Sequence, residues 1–316
     1  MDALPLQENN PVPYASQTPR VMHACGHDAH TAIALGVARL LKNERFPGTV
    51  RFLFQPAEEV SDEEGVSGAP RMIEDGAIQG VDHALALHVD SSLPVGSIAI
   101  DAGASSAGVD TFYATIIGHG GHGAAPHKVV DPILLAGHII MALNTIVSRR
   151  VQPTEPAVIS LGSIHGGSAS NVIPERVKLT GTIRFMTEAV QQQIHAEIRR
   201  ALEITQALGG DYNLEIEIGY PPMYNNAGVV ELVRSVARPL LGEEHVLNPK
   251  QQMGAEDFGF FCQEAPGAMF NLGARIDEEE RKHHSPYFDI DEGCLPYGAA
   301  VLAAAALKML QRTVNG

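Results

Sequence analysis

Three things are scarce in this 316-residue chain: cysteine, positive charge and long apolar runs. Cys25, Cys262 and Cys294 are odd in number and widely spaced, and no stretch at the start reads as a signal peptide. That pattern suits a reducing cytoplasm better than an oxidising compartment. Lys plus Arg number 22 against 37 Asp plus Glu, a net charge of −15. Such a balance repels a phosphate backbone, so nucleic acid is not an expected partner. No run approaches roughly 18 consecutive apolar residues, and no membrane span or membrane partner is expected. What the chain does have is an ordinary globular composition, 45% hydrophobic and 19% charged, and a length of about two domains. A core of that size needs no metal or disulfide staple. Fourteen histidines stand out.

The Pro-rich residues 1–22 read as loop. From Asp28 an apolar stripe, Ile33, Val37, Leu40 and Leu41, predicts a helix ending near Phe46-Pro47-Gly48. Thr49 to Phe54 predicts a short buried strand, Gly68 to Asp75 a helix, and Asp82 to Val89 a further strand. Strands alternating with helices point to an α/β layered domain. From Asp110 the rhythm changes. Strands are expected at Thr111 to Gly118, Ala157 to His165, Arg176 to Met186 and Tyr212 to Gly219. The helices between them run from Asp131-Pro132 to Arg150, with Asp as cap and Pro in the first turn, and from Glu188 to Leu208. This βαββαβ order is the split, ferredoxin-like arrangement. The α/β texture then returns, with a helix near Gly228 to Leu241, a strand at Ala268 to Gly273 and an Ala-rich helix from Pro296 to about Gln311. The expected architecture is a discontinuous α/β domain, 1–108 and 220–316, interrupted by a domain at 109–219.

His23-Ala24-Cys25-Gly26-His27-Asp28 lies at a loop-to-helix junction, where a thiolate and an imidazole two residues apart can reach one metal. Asp28 would cap the helix or brace a ligand ring. The other reading is a helix cap beside an incidental buried Cys. Pro56-Ala57-Glu58-Glu59 follows the expected strand. Adjacent carboxylates at that end of a buried strand are costly unless cations compensate them, and ligands bind at that end of open α/β sheets. A solvated acidic loop is the alternative, and it suits Asp62, Glu63 and Glu64. Taken singly, His88 reads as a hydrogen-bonded core residue and His283-His284 as a polar turn. Together, Cys25, His27, Glu59 and His88 fall at successive junctions of one inferred sheet. A mixed S, N and O donor set suits one or two divalent transition ions. Glu58, beside a ligand, is then a candidate general base for metal-assisted amide hydrolysis. The run Gly118 to His127 is His- and Gly-rich, either a plain hairpin turn or a site of close backbone approach. It lacks the spacing and Lys of a P-loop. Asn171-Val172-Ile173-Pro174 is polar beside apolar strand residues. Arg184 is either a surface charge or a fork for a substrate carboxylate.

HACGHDAHT, QPAEE, ALHV, GGHGAAPH, NVIP, MGAEDF and HSPYFDIDE, in this order, resemble the aminoacylase, hippurate hydrolase and indole-acetyl-amino-acid hydrolase group of metallopeptidases. Each motif is short, but seven in register cover essentially the whole chain. The resemblance implies a zinc-exopeptidase-like catalytic domain with two metal ions and a ferredoxin-like lid that also forms a homodimer. It carries over Cys25, His27, Glu59, His88 and His284 as metal ligands and Glu58 as general base. His284 is preferred to His283 because it directly precedes Ser-Pro-Tyr-Phe. His122 corresponds to the lid histidine that reaches the neighbouring subunit's site to stabilise the oxyanion or substrate, and Asn171 and Arg184 to positions holding the substrate's carboxylate end. The ions are zinc, manganese, cobalt or nickel, and the substrate a small N-acyl amino acid. The alternatives are a dipeptidase or carboxypeptidase with the same metal site, or a shortened non-catalytic relative that dimerises or binds. The chain departs from the group in two places. Val60 to Gly68 is longer and more acidic than the usual link, which would alter the pocket rim. The group also carries several dozen residues before the segment matched by Met1 to Glu8, so Met1 is expected to be internal to a longer chain that completes the sheet.

Overall fold

Ala29, Ile33, Val37 and Leu41, spaced by four residues, form the buried face of helix α1 (His27–Leu41). They pack with Val229 and Val233 from the helix Ala227–Leu241, with Val301 and Ala305 from the helix Leu295–Thr313, and with Leu87, Val89, Phe270 and Leu272. Those last four lie on the strands β1 (Ala84–Pro94) and Gly267–Arg275, which run parallel, Leu87 opposite Phe270 and His88 opposite Asn271. Ile98–Ala99 joins Gly267–Arg275 antiparallel, and Val246–Leu247 completes the four-stranded sheet. The computed structural model describes residues 1–278 and 281–313. This α/β layer belongs to a first unit made of Met1–Ser105, Tyr224–Gln251 and the chain from Asp257 on; Ser106–Met223 with Gln252–Glu256 forms a second.

The expected strand at Thr49 to Phe54 is not formed. Residues 49–57 carry no ladder. A strand exists only with a partner backbone at hydrogen-bonding distance, and this segment has none among the described residues. Part of its apolar content is still used, since Val50 and Phe52 pack against the core while Phe54 stays exposed. As a consequence, Glu58 and Glu59 lie on an irregular loop and not at the end of a strand.

The second unit has the βαββαβ order, Gly108–Ile117, Pro132–Arg149, Ala157–Gly166, Arg176–Phe185, Glu188–Leu202 and Asp211–Ile218. Its antiparallel sheet runs Ala157–Gly166, Arg176–Phe185, Gly108–Ile117, Asp211–Ile218. This is the ferredoxin-like strand order. Alternate strand residues Phe112, Ala114, Ile116, Leu179 and Ile183 meet Ile139, Leu143, Ile194 and Ile198 of the two helices. Both helices start where capping chemistry predicts. Asp131 accepts from the Ile133 N–H with Pro132 in the first turn, and the Thr187 hydroxyl accepts from the Val190 N–H. The second of these helices ends at Leu202, short of the expected Leu208, and a four-residue turn of helix, Ile204–Ala207, follows. Pro132–Arg149 and Glu292–Gln311 are long and apolar enough to cross a membrane by length and composition alone. Both contribute buried faces to the cores just described.

Candidate metal centre

Gly26 makes the turn into α1 with φ +87°, and a Cβ there would lie 2.4 Å from Val89 Cγ2. Only glycine meets both conditions, and the close approach sets its neighbours Cys25 and His27 against β1. Cys25 Sγ lies 3.4 Å from His88 Nε2 and 3.7 Å from His283 Nδ1. His88 Nδ1 donates to the Val89 carbonyl at 2.7 Å. That bond fixes the tautomer and turns the Nε2 lone pair toward the sulfur. Burial lowers the His88 pKa, which keeps the ring in the neutral form that coordinates metals.

His27 is held from the opposite side. Its Nδ1 makes a very short contact with Asp2 Oδ1, while Nε2 faces Glu58 Oε2 at 3.8 Å and Glu59 Oε1 at 3.9 Å. The second Asp2 oxygen accepts from the backbone N–H groups of Glu58 (2.8 Å) and Glu59 (3.0 Å). Burial alone would raise the Asp2 pKa, but the Glu59 amide and the His27 ring outweigh it and hold the carboxyl below its ordinary range. One carboxylate thus orients a ring and two glutamates. Sequence spacing gave no sign of this, because Asp2 is 25 residues from His27 and 56 from Glu58. The reading of Asp28 is corrected accordingly: it lies in the first turn of α1, whose N-cap is Gly26, and the ring is braced by Asp2.

Glu59 Oε1 is buried, accepts no hydrogen bond, and stands 2.9 Å from His284 Nε2. Two donor atoms facing each other without a hydrogen bond are what a cation site requires, since an unsatisfied buried carboxylate oxygen is otherwise costly. The His284 N–H donates to the Ala24 carbonyl at 2.8 Å, tying its loop to the Cys25 turn, and His284 itself adopts a left-handed φ of 59°. Non-glycine residues held in that region cluster at functional sites. Three donor groups lie wholly within the first unit, each with its ligand atoms within 4.8 Å of one another: Cys25, His27 and His88; Cys25, Glu59 and His284; His27, Glu58 and Glu59. The donor set fits one or two divalent ions by its chemistry.

Two further imidazoles line this place. His30 Nε2 accepts from the Val89 N–H at 3.0 Å, and burial keeps the ring neutral. His283 is pushed down to about 3 by burial and by the neighbouring His88 and His284 rings. The remaining residues singled out in the sequence belong to the second unit. His122, on the short strand Gly121–His122, pairs with Val172, and its Nδ1 accepts from the Ala124 N–H. The Asn171 carbonyl accepts from the Gly123 N–H at 2.8 Å. His122 and Asn171 therefore share one ribbon, whereas Arg184 lies on the four-stranded sheet opposite Val109 and Val158. Burial lowers the Arg184 pKa, and the guanidinium has no carboxylate partner among the described residues.

A buried thiol, imidazoles and carboxylates converging beside an α/β sheet define a metal-hydrolase type of centre, and the comparisons with known proteins agree. The sequence matches Peptidase family M20/M25/M40 over residues 1–308. It is 37% identical to an N-acetyl-L-cysteine deacetylase of Bacillus subtilis, over 98% of this chain and 73% of that one. It is 38% identical to thermostable carboxypeptidase 1 of Saccharolobus solfataricus, over 98% and 78%. The solved structure of the Bacillus subtilis YXEP protein, described as a dinuclear metal binding peptidase from the M20 family, matches with a TM-score of 0.83 at 32% identity, over 98% of this chain and 79% of that one. The chain belongs to peptidase family M20/M25/M40, a family of metal-dependent amidohydrolases and peptidases.

Proposed function

We propose that the chain hydrolyses the amide bond of N-acyl amino acids, releasing a carboxylic acid and the free amino acid. The observation that carries this reading is the convergence of Cys25, His27, Glu59, His88 and His284 around a buried, unsatisfied glutamate oxygen, with Glu58 beside them. A thiolate in the donor set favours zinc over magnesium or calcium and leaves manganese, cobalt and nickel open, with two ions per chain inferred. Bound there, such ions would polarise a substrate carbonyl and acidify a water. The chain's own residues do the rest. Asp2 fixes the His27 ring and the Glu58 and Glu59 backbone. Glu58 takes a proton from the attacking water and returns it to the leaving amine. Arg184, a planar fork without an anionic partner among the described residues, takes the substrate carboxylate with Asn171, and His122 of a second copy supports the developing oxyanion.

The Glu58→Gln variant should keep its metal content while amide hydrolysis falls by about 10²-fold or more. Hydrolysis at the parent rate would overturn the assignment of the base. A second reading is a dipeptidase or carboxypeptidase with the same centre, favoured by the carboxypeptidase relative. Turnover of dipeptides well above that of N-acetyl and N-benzoyl amino acids would select it.

The inferred protein partner is a second copy of this chain, docking through the second unit. Ile133, Leu134 and Met141 are exposed on one helix, and the sheet ends on the edge strand Ala157–Gly166. Exposed apolar side chains beside an open edge are what a pairing surface offers. Sedimentation equilibrium tests this, and a monomer mass at micromolar concentration would refute it. A reducing cytoplasm is the fitting compartment, since Cys25 must act as a thiolate.

A further inference from the structure

Asp257 is fully buried, at 0% exposure, and no cation lies within ion-pair distance of it among the described residues. Burial raises its pKa, and the hydrogen bonds it accepts act against that. Gln55 Nε2 donates to both carboxylate oxygens, at 2.7 and 2.8 Å, the Ser67 hydroxyl donates at 2.7 Å, and the Ala69 N–H at 3.1 Å. These donors come from the two ends of one loop, the one carrying Glu58 and Glu59. Asp257 stands at the N-cap of the helix Phe258–Glu264, where an aspartate commonly accepts from its own first turn, yet it makes no such bond. It caps the helix Gly68–Glu74 across the fold instead. Ser67, the residue at that helix's own N-cap, makes no cap bond. The ends of the loop also close on each other. The Gly68 N–H donates to the Ala57 carbonyl at 3.0 Å, and a Cβ on Gly68 would lie 1.7 Å from the Pro56 carbonyl oxygen. The loop is thus held just inside its first end by Asp2, through the Glu58 and Glu59 amides, and at its base by Asp257.

We propose that Asp257 is a positioning residue: by drawing Gln55, Ser67 and Ala69 onto one carboxylate, it fixes the loop conformation that presents Glu58 and Glu59. Its kinetic side rests on the roles given to Glu58 and Glu59 above; its structural side does not. A buried carboxyl that accepts four hydrogen bonds from three donors is specific to this arrangement, because removing it strands all three donors at once, and moving it by one bond length breaks the closure.

The test is Asp257→Asn, read by hydrogen exchange of the amides of residues 57–69, by metal content and by steady-state kinetics. We expect exchange at the Glu58 and Glu59 amides to quicken about tenfold, and kcat to fall about tenfold to a hundredfold with KM changed less than about threefold. The exchange of donor and acceptor in Gln55→Glu/Asp257→Asn should recover most of both. Gln55→Ala and Ser67→Ala, which keep the Asp257 charge, should move the same readouts in the same direction by less, and they carry the test if the Asn variant does not fold. Unchanged exchange across 57–69 in all of these variants would overturn the proposal, whatever the activity of Glu58→Gln. Conversely, quickened exchange together with an active Glu58→Gln would leave Asp257 as the loop's anchor and refute only the assigned base.

Discussion

Phe112, Leu143, Ile183 and Ile194 are fully buried in the second unit and carry no polar atom, whereas the first unit keeps Cys25, Glu59 Oε1 and Asp257 out of water beside its core. The second unit does bury one aspartate, Asp110, but Gln191, His195 and the Gly219 N–H all satisfy it. In the first unit, Glu59 is left with a buried oxygen that accepts no hydrogen bond among the described residues. The difference separates two uses of burial. Apolar burial stabilises a scaffold, while incompletely satisfied polar burial costs stability and leaves a place for a ligand. The contrast can be broken from either side.

The largest effect on stability should come from the scaffold. Phe112→Ala removes a fully buried ring and should destabilise the second unit by about 3–5 kcal/mol, read from denaturant unfolding, without altering metal uptake by the first. A cost below about 1 kcal/mol would mean that the apolar core is not what holds that unit. Acid should act on the other side. His30, His88 and His283 all titrate below the ordinary imidazole value of 6.5, His283 down to about 3. The folded first unit therefore binds fewer protons than the unfolded chain. Its stability is fully present above about pH 6.5 and is withdrawn as the pH falls from there toward 3. Thermal melts of the metal-free chain across that window check the sign, and a midpoint that rises on acidification would contradict it. The smallest change in stability belongs to the exposed helix face. Met141→Glu, at a side chain 69% exposed, should shift unfolding by no more than about 0.5 kcal/mol yet return the mass to that of a monomer.

The second unit was largely legible in the sequence because each of its elements declares itself locally. Its strands alternate, its helices begin at Asp131-Pro132 and Thr187, and long runs leave little room for a wrong period. In the first unit, Ile98–Ala99 and Val246–Leu247 are two residues each, too short to show any period, and the helix Phe258–Glu264, at seven residues, is too short to declare one against the glycine-containing stretch that precedes it. Thr49 to Phe54 has the composition of a short buried strand, but pairing depends on a neighbour that no local pattern reports. The donors Cys25, His27, Glu59, His88 and His284 were visible as short motifs, and the fold brings them together. The carboxylates that orient them were not. Asp2 acts over 25 and 56 residues and Asp257 over as many as 202. A hydrogen bond between residues so far apart leaves no trace in spacing.

The sheet of the second unit ends in two unlike strands. Asp211–Ile218 exposes Asp211, Glu215 and Glu217 along its length, while Ala157–Gly166 contains no Asp, Glu, Lys or Arg. Repeated carboxylates on an edge repel an identical edge and discourage further strands. A two-fold contact through the uncharged edge uses that edge up in both copies. The outer edges of such a pair are then both acidic. In the proposed pair, addition would stop at two, and the same sheet that would permit pairing would also guard against growth into a fibre.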